Sequence, residues 1–132
     1  MSRDWEWLSA ELALAIHHEQ LREHGGGIGV RSDALLASAL ARPQQMASYG
    51  DPDGYDLAAA YAFGVARNHP FVDGNKRTAW VLARVFLLMH KVSFKCSEAD
   101  AVIAMLKLAA GDINDADFAQ WLRAHAGDPR NT

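Results

Sequence analysis

The chain has 132 residues, half of them hydrophobic, and a formal net charge of −3 at pH 7. That length suits one compact domain with a real core, and the acidic balance excludes nucleic acid as the main partner, which would need a basic face. The N-terminus shows no apolar signal region, the longest apolar stretch (Ala79 to Met89) is broken by Arg84, and the single cysteine, Cys96, precludes an internal disulfide, so a cytoplasmic protein with no membrane partner is expected.

Helical periodicity fills most of the chain, and the fold class it predicts is all-α: about six helices packed around a central buried one. Ser9 to about Glu23 carries Leu12, Ala15, Ile16 and Glu19 at helical spacing, and Gly25-Gly26-Gly27 ends that helix. Ser32-Asp33 caps a second helix, Ala34 to Ala41, which is expected to stop before Pro43. Asp51-Pro52 and Asp53-Gly54 predict a loop over Gln44 to Tyr55. Asp56 is the expected cap of a third helix, Leu57 to about Arg67. A fourth, from about Asn75 to His90, is apolar nearly all round and is therefore expected to be the central one. Ser97 caps a fifth, Glu98 to Ala110, and Asn114 or Asp115 caps a sixth, to about His125. Residues 1–126 read as one domain and 127–132 as a flexible tail.

Between the third and fourth helices stands His69-Pro70-Phe71-Val72-Asp73-Gly74-Asn75-Lys76-Arg77-Thr78. His69 precedes a proline and is expected to be extended and outside a helix. A histidine titrates near working pH and suits a general base; the competing reading is a helix-end residue bonded to backbone. Asp73 is a candidate magnesium ligand, because that ion takes one or two carboxylates and fills its shell with phosphate oxygens and water. Capping the fourth helix is the alternative for Asp73, and the two are compatible. Gly74 permits a tight turn, after which Asn75, Lys76 and Arg77 present backbone N–H groups at the positive end of a helix. Arg77 suits a fork on phosphate oxygens, while Pro70 and Phe71 read as structural, with Phe71 plugging the core and anchoring His69. A base, a metal-binding carboxylate and a phosphate cradle together point to phosphoryl or nucleotidyl transfer. This is not a P-loop, because the upstream glycine of that motif is missing.

Other polar residues are weaker candidates. Arg84 shares a helix face with Arg77, lies about 10 Å further along the axis, and is expected in a buried ion pair. Arg31, in the glycine-rich loop, is weaker still. His18-Glu19-Gln20-Leu21-Arg22 lacks the second histidine of a zinc motif, and the histidines other than His69 read mostly as surface or helix-end residues.

His69 to Arg77 resembles the Fic signature, H-P-F-x-(D/E)-G-N-G-R-x-x-R, and more closely its Doc (death-on-curing) branch, the toxins of Phd–Doc toxin–antitoxin systems. Gly26 to Arg31, Leu35 to Gln44 and Asp112 to Leu122 also look like that branch. Lys76 stands where most Fic enzymes have glycine, and Trp80 where they have a second arginine; both departures look like Doc. The resemblance implies a Fic/Doc helical fold, His69 as general base, Asp73 on Mg²⁺, and Gly74, Asn75, Lys76 and Arg77 on the phosphates of ATP. In the Doc branch the nucleotide is thought to bind reversed, with the γ-phosphate toward the histidine. The implied activity is phosphorylation of a Ser/Thr hydroxyl, by resemblance on elongation factor Tu, with inhibition of translation. The alternatives are a Fic-type AMP transferase and a non-catalytic binding subunit of the same fold. Many Fic proteins carry an inhibitory helix, (S/T)-x-x-x-E-(G/N). Only Ser2 to Trp7 comes near it, Trp7 breaks it, and Trp80 replaces the arginine it would pair with. Control by a separate Phd-like antitoxin is therefore expected, its C-terminal segment folding as a helix into a groove beside His69.

Overall fold

The structure, a computed structural model, describes residues 4–127. Six helices follow one another: α1 (Ala10–His24), α2 (Asp33–Tyr49), α3 (Gly54–Asn68), α4 (Asn75–Met89), α5 (Glu98–Ala110) and α6 (Asp115–Ala124). Short polar side chains start most of them. Ser9, Ser32, Ser97 and Asn114 each accept a backbone N–H from the first turn, the last three as expected caps. Among the described residues there is no strand; a single antiparallel bridge pairs Val30 with Phe71. No helix among those residues is long and apolar enough to cross a membrane. Residues 128–132 of the expected tail lie outside the described residues.

Two expectations about α2 and α3 are corrected. The second helix does not stop before Pro43 but runs through it to Tyr49, so Gln44 to Tyr49 is helical and the loop shrinks to residues 50–53. An interior proline costs about 3 kcal/mol in a helix. Here the ring is fully buried, and Met46 and Ala47 beyond it pack against the core, so tertiary burial outweighs the local preference. The cap of α3 is Asp53 and not Asp56: Asp53 accepts the Asp56 N–H at 2.9 Å, and Asp56 reaches back to the Asp53 N–H at 2.9 Å, closing a reciprocal box.

The centre of the molecule is α3, not α4. Leu57 through Ala62, with Val65 and Ala66, are buried, and α3 packs on α2, α4, α5 and α6. Its small residues allow this crowding. A Cβ at Gly64 would come within 2.9 Å of the Ala39 backbone on α2. Helix α4 buries Thr78, Ala79, Leu82, Ala83, Phe86 and Leu87 toward α3. Of its remaining apolar residues, Trp80 and Val81 are half-buried and face a groove against α5, Val85 is half-buried, and Leu88 and Met89 are exposed. The all-round apolarity of α4 thus reflects a core face, a groove wall and an exposed C-terminal end. The resulting arrangement sets the α3–α4 connection, residues 69–74, against the glycine-rich loop that follows α1.

Candidate active site

His69 closes α3 in the left-handed conformation, φ 51° and ψ 57°, and not in the extended one expected from Pro70. Its N–H donates to the Val65 carbonyl at 3.2 Å, a left-handed helix end. Histidine is among the few non-glycine residues found there, at a strain of about 1 kcal/mol. The side chain is exposed. Arg31 holds the backbone from outside: Nε donates to the His69 carbonyl at 2.7 Å and Nη2 to the Asn68 carbonyl at 2.8 Å.

Phe71 plugs the core as predicted, 1% exposed. Asn75 then clamps it. The Phe71 N–H donates to Asn75 Oδ1, and Asn75 Nδ2 donates to the Phe71 carbonyl, each at 3.0 Å. The Asn75 side chain is thereby spent on the loop, and what this residue can offer a phosphate is its backbone N–H at the start of α4. The Phe71 ring stacks on His17, centroids 3.8 Å apart and planes 8° from parallel.

Asp73 is exposed, yet its carboxylate is fixed. Oδ1 accepts the Gly74 N–H at 2.8 Å and Oδ2 the Gly27 N–H at 3.3 Å. Those two backbone donors, Gly74 foremost, hold its carboxyl below the usual range, so it is ionised at neutral pH. Gly26, with φ +125°, permits the approach: a Cβ there would sit 2.8 Å from Asp73 Oδ2. Asp73 does not cap α4, because Gly74, itself left-handed at φ 76°, precedes a first turn with no side-chain cap. That leaves a helix N-terminus whose N–H groups are an anion site by construction. Arg77 lies beside it, one Nη2 on the Gly25 carbonyl at 3.2 Å and a buried Nε with no partner among the described residues. Lys76 is exposed at the mouth of the α4–α5 groove, a cavity of about 440 Å³.

The structure brings His69, Asp73, Gly74, Asn75, Lys76 and Arg77 onto one loop and one helix start. It also adds His17, which the sequence left among surface histidines. His17 is 5% exposed and its Nε2–H donates to the Asp73 carbonyl at 2.8 Å. Its signal was present: Ala13, His17 and Leu21, spaced by four, are the buried stripe of α1. Arg84 forms no ion pair among the described residues. Its guanidinium lies 5.8 Å from the Trp80 ring and 5.3 Å from that of Phe94, and it lines the groove. The long stem finds aromatic faces there, and Glu98, the one carboxylate lining the same groove, forms no ion pair with it.

Residues 7–87, ending within α4 and including this whole loop, match the family described as Fic/DOC. The chain belongs to the Fic/DOC family. It is similar to "Toxin Doc" of Mycolicibacterium smegmatis (strain ATCC 700084 / mc(2)155), 49% identical over 70 residues, a stretch covering 52% of this chain and 54% of that protein. The chain thus spans about half the length of that relative. It is also similar to "Protein kinase doc" of Escherichia phage P1, 31% identical over 119 residues, covering 88% of this chain and 92% of the phage protein. Both relatives lie in the Doc branch of Fic/DOC, and the chain is placed there with them. The departure at Trp80 has a physical setting in this chain. Trp80 packs edge-on to Phe94 at 5.7 Å and Trp121 at 6.1 Å, an aromatic cluster where an arginine would have no counter-charge.

The residues suit a divalent cation beside a polyphosphate. Among the described residues no three His, Cys, Asp or Glu side chains gather into a metal cage. Asp73 is a lone, ionised carboxylate beside a phosphate cradle, which suits magnesium: one protein ligand, with the remainder from phosphate and water. The uncapped α4 terminus and the unpartnered Arg77 Nε suit a polyphosphate.

Proposed function

We propose that this protein is a toxin kinase that transfers the γ-phosphoryl group of ATP to a Ser/Thr hydroxyl of a protein, with elongation factor Tu as the target suggested by resemblance. The carrying observation is that one rigid loop presents an exposed histidine, an ionised carboxylate and an uncapped helix N-terminus bearing Lys76 and Arg77. His69 takes the hydroxyl proton as that oxygen attacks the γ-phosphorus. The bond from phosphorus to the β–γ bridging oxygen breaks, and ADP departs. The α4 N–H groups, Lys76 and Arg77 meet charge on the phosphates; Asp73 would hold Mg²⁺, which neutralises the phosphate oxygens when bound. Lys76 favours the γ-phosphate as the transferred group, since its side chain occupies space that glycine leaves open in AMP-transferring relatives.

The test uses the full chain, elongation factor Tu, Mg²⁺ and ATP labelled at either the α or the γ position. Label on the target from the γ position alone is expected. Label from the α position would make this an AMP transferase. Absence of both, with a folded chain that still binds partners, would make it a binding subunit.

The α4–α5 groove, whose lining includes Lys76 and Arg77 but not the expected His69, supports the companion proposal of a Phd-like antitoxin. Val102 and Leu106 line it and are 58% and 53% exposed, with Ile103 beside them on α5 at 52%. Lys76, Arg77 and Arg84 line it against a single carboxylate, Glu98. An amphipathic helix with apolar anchors and acidic flanks matches that surface. Growth arrest on expression of this chain alone, relieved by the neighbouring open reading frame, is the expected result. Harmless expression of active enzyme without a partner would defeat it.

A further inference from the structure

We infer that Arg31 is a positioning residue for the transfer step, one that holds His69 in its left-handed backbone and so aims the imidazole. The inference rests on His69 being the proton acceptor. Three successive carbonyls converge on this one residue: Arg31 Nη2 donates to Asn68 O at 2.8 Å, Nε to His69 O at 2.7 Å, and its backbone N–H to Pro70 O at 2.7 Å. The first two belong to the end of α3, where the last carbonyls lack helical partners and a cation is favoured. Arg31 forms no ion pair among the described residues, so its guanidinium is committed to these oxygens. The planar fork explains the residue type. Two parallel donors can meet two adjacent carbonyls that curl together, whereas an ammonium is a single point.

The need for such a fixture is local. His69 sits at φ 51°, where a side chain is strained, and the following proline disfavours the right-handed alternative and pushes the residue toward extended backbone. Without a hold from outside, extension is the relaxed state, and it would re-aim the ring. Ser32 N–H on Pro70 O at 3.1 Å and Val72 N–H on Gly29 O at 3.0 Å fix the residues that follow, but neither touches the His69 peptide. Only Arg31 does so from the glycine-rich loop.

The experiment compares wild type with Arg31→Ala and Arg31→Lys in the full chain, using the γ-label transfer assay and backbone ¹³C chemical shifts of His69. Arg31→Ala is expected to lower kcat by about 10²-fold, the scale of a misplaced catalytic group, with the KM for ATP little changed. The His69 shifts should move toward extended values. Millimolar guanidinium should restore part of the kcat of Arg31→Ala, and Arg31→Lys should recover less, since it meets one carbonyl at a time. Wild-type kcat in Arg31→Ala, or a loss carried entirely by KM, would overturn the inference. So would a fall in kcat with unmoved His69 shifts. If wild type transfers no label, the kinase reading fails by itself, and the shifts still decide: unmoved His69 resonances in Arg31→Ala reject the hold. If Arg31→Ala does not fold, Arg31→Lys carries the same comparison.

Discussion

Helices α3 and α4 lie side by side, and an aspartate-glycine pair stands at the start of each, yet their first turns are finished in opposite ways. At α3, Asp53 and Asp56 exchange hydrogen bonds, and Arg123 from α6 donates to both carboxylates at about 3.1 Å. At α4 the aspartate turns back on Gly74 and Gly27, and the helix start keeps its donors. The difference teaches where this small domain places its stability. The closed terminus staples α3 to α6, far along the chain, while the open one is held from the loop side by Asn75, His17 and Arg31. A helix start left without its own cap has to be supported by its surroundings.

That contrast can be broken at several points. The largest effect should come from His69→Ala, which removes the proposed base beside the open terminus without touching the core. Label transfer should fall by about 10² to 10⁴-fold, while the thermal midpoint stays close to wild type; turnover at the wild-type rate would sink the assignment. Next is Gly74→Ala. The space around a Cβ there is adequate, the nearest atom being Leu21 Cδ2 at 3.6 Å, so the penalty is the left-handed backbone, about 1–2 kcal/mol in denaturant unfolding. An unchanged midpoint would show that the open start needs no glycine.

Asp53→Ala attacks the closed terminus instead and should cost about 1 kcal/mol, with no loss of kcat. It also carries a pH signature. Burial alone would raise the Asp53 carboxyl, but the Arg123 guanidinium and the Asp56 N–H outweigh it and leave the group below its ordinary value. A carboxyl depressed in the folded state stabilises above its unfolded pKa and loses that contribution as pH falls through the folded one. Wild type should therefore lose more stability than Asp53→Ala on acidification below the ordinary carboxylate range. Parallel pH curves would contradict the ion pair. The smallest effect is Thr78→Val. The Thr78 hydroxyl is buried without a partner among the described residues, so an isosteric apolar side chain should be neutral or stabilising by up to about 1 kcal/mol. A clear destabilisation would reveal a partner for that oxygen.

The features legible in the sequence are the ones decided within a few residues. Ser9, Ser32, Ser97 and Asn114 cap because their own side chains reach their own first turns, and the motif from His69 to Arg77 could be read because its parts are adjacent. What was not legible depends on distant residues. Pro43 interrupts no helix because its ring is buried by packing. The centrality of α3 comes from alanines that are apolar but weakly so, and α4 outweighed them in composition. The conformation of His69 is set by the end of α3 and by Arg31, thirty-eight positions earlier. His17 was hidden by its type: a histidine on a helix reads as surface until its buried neighbours, Ala13 and Leu21, are counted with it.

The Asn75 clamp has a kinetic consequence. With both backbone groups of Phe71 tied to one side chain that is itself the first residue of α4, the loop of residues 69–74 and the helix start are tied into one unit. Under the proposed transfer the loop would not reach for a target; a hydroxyl would have to be delivered to His69 on a segment able to bend, so adaptability would fall to the substrate protein. The tie can be read directly by hydrogen–deuterium exchange. The Phe71 amide, though outside any helix, should exchange with solvent as slowly as the interior amides of α4, and Asn75→Ala should release it.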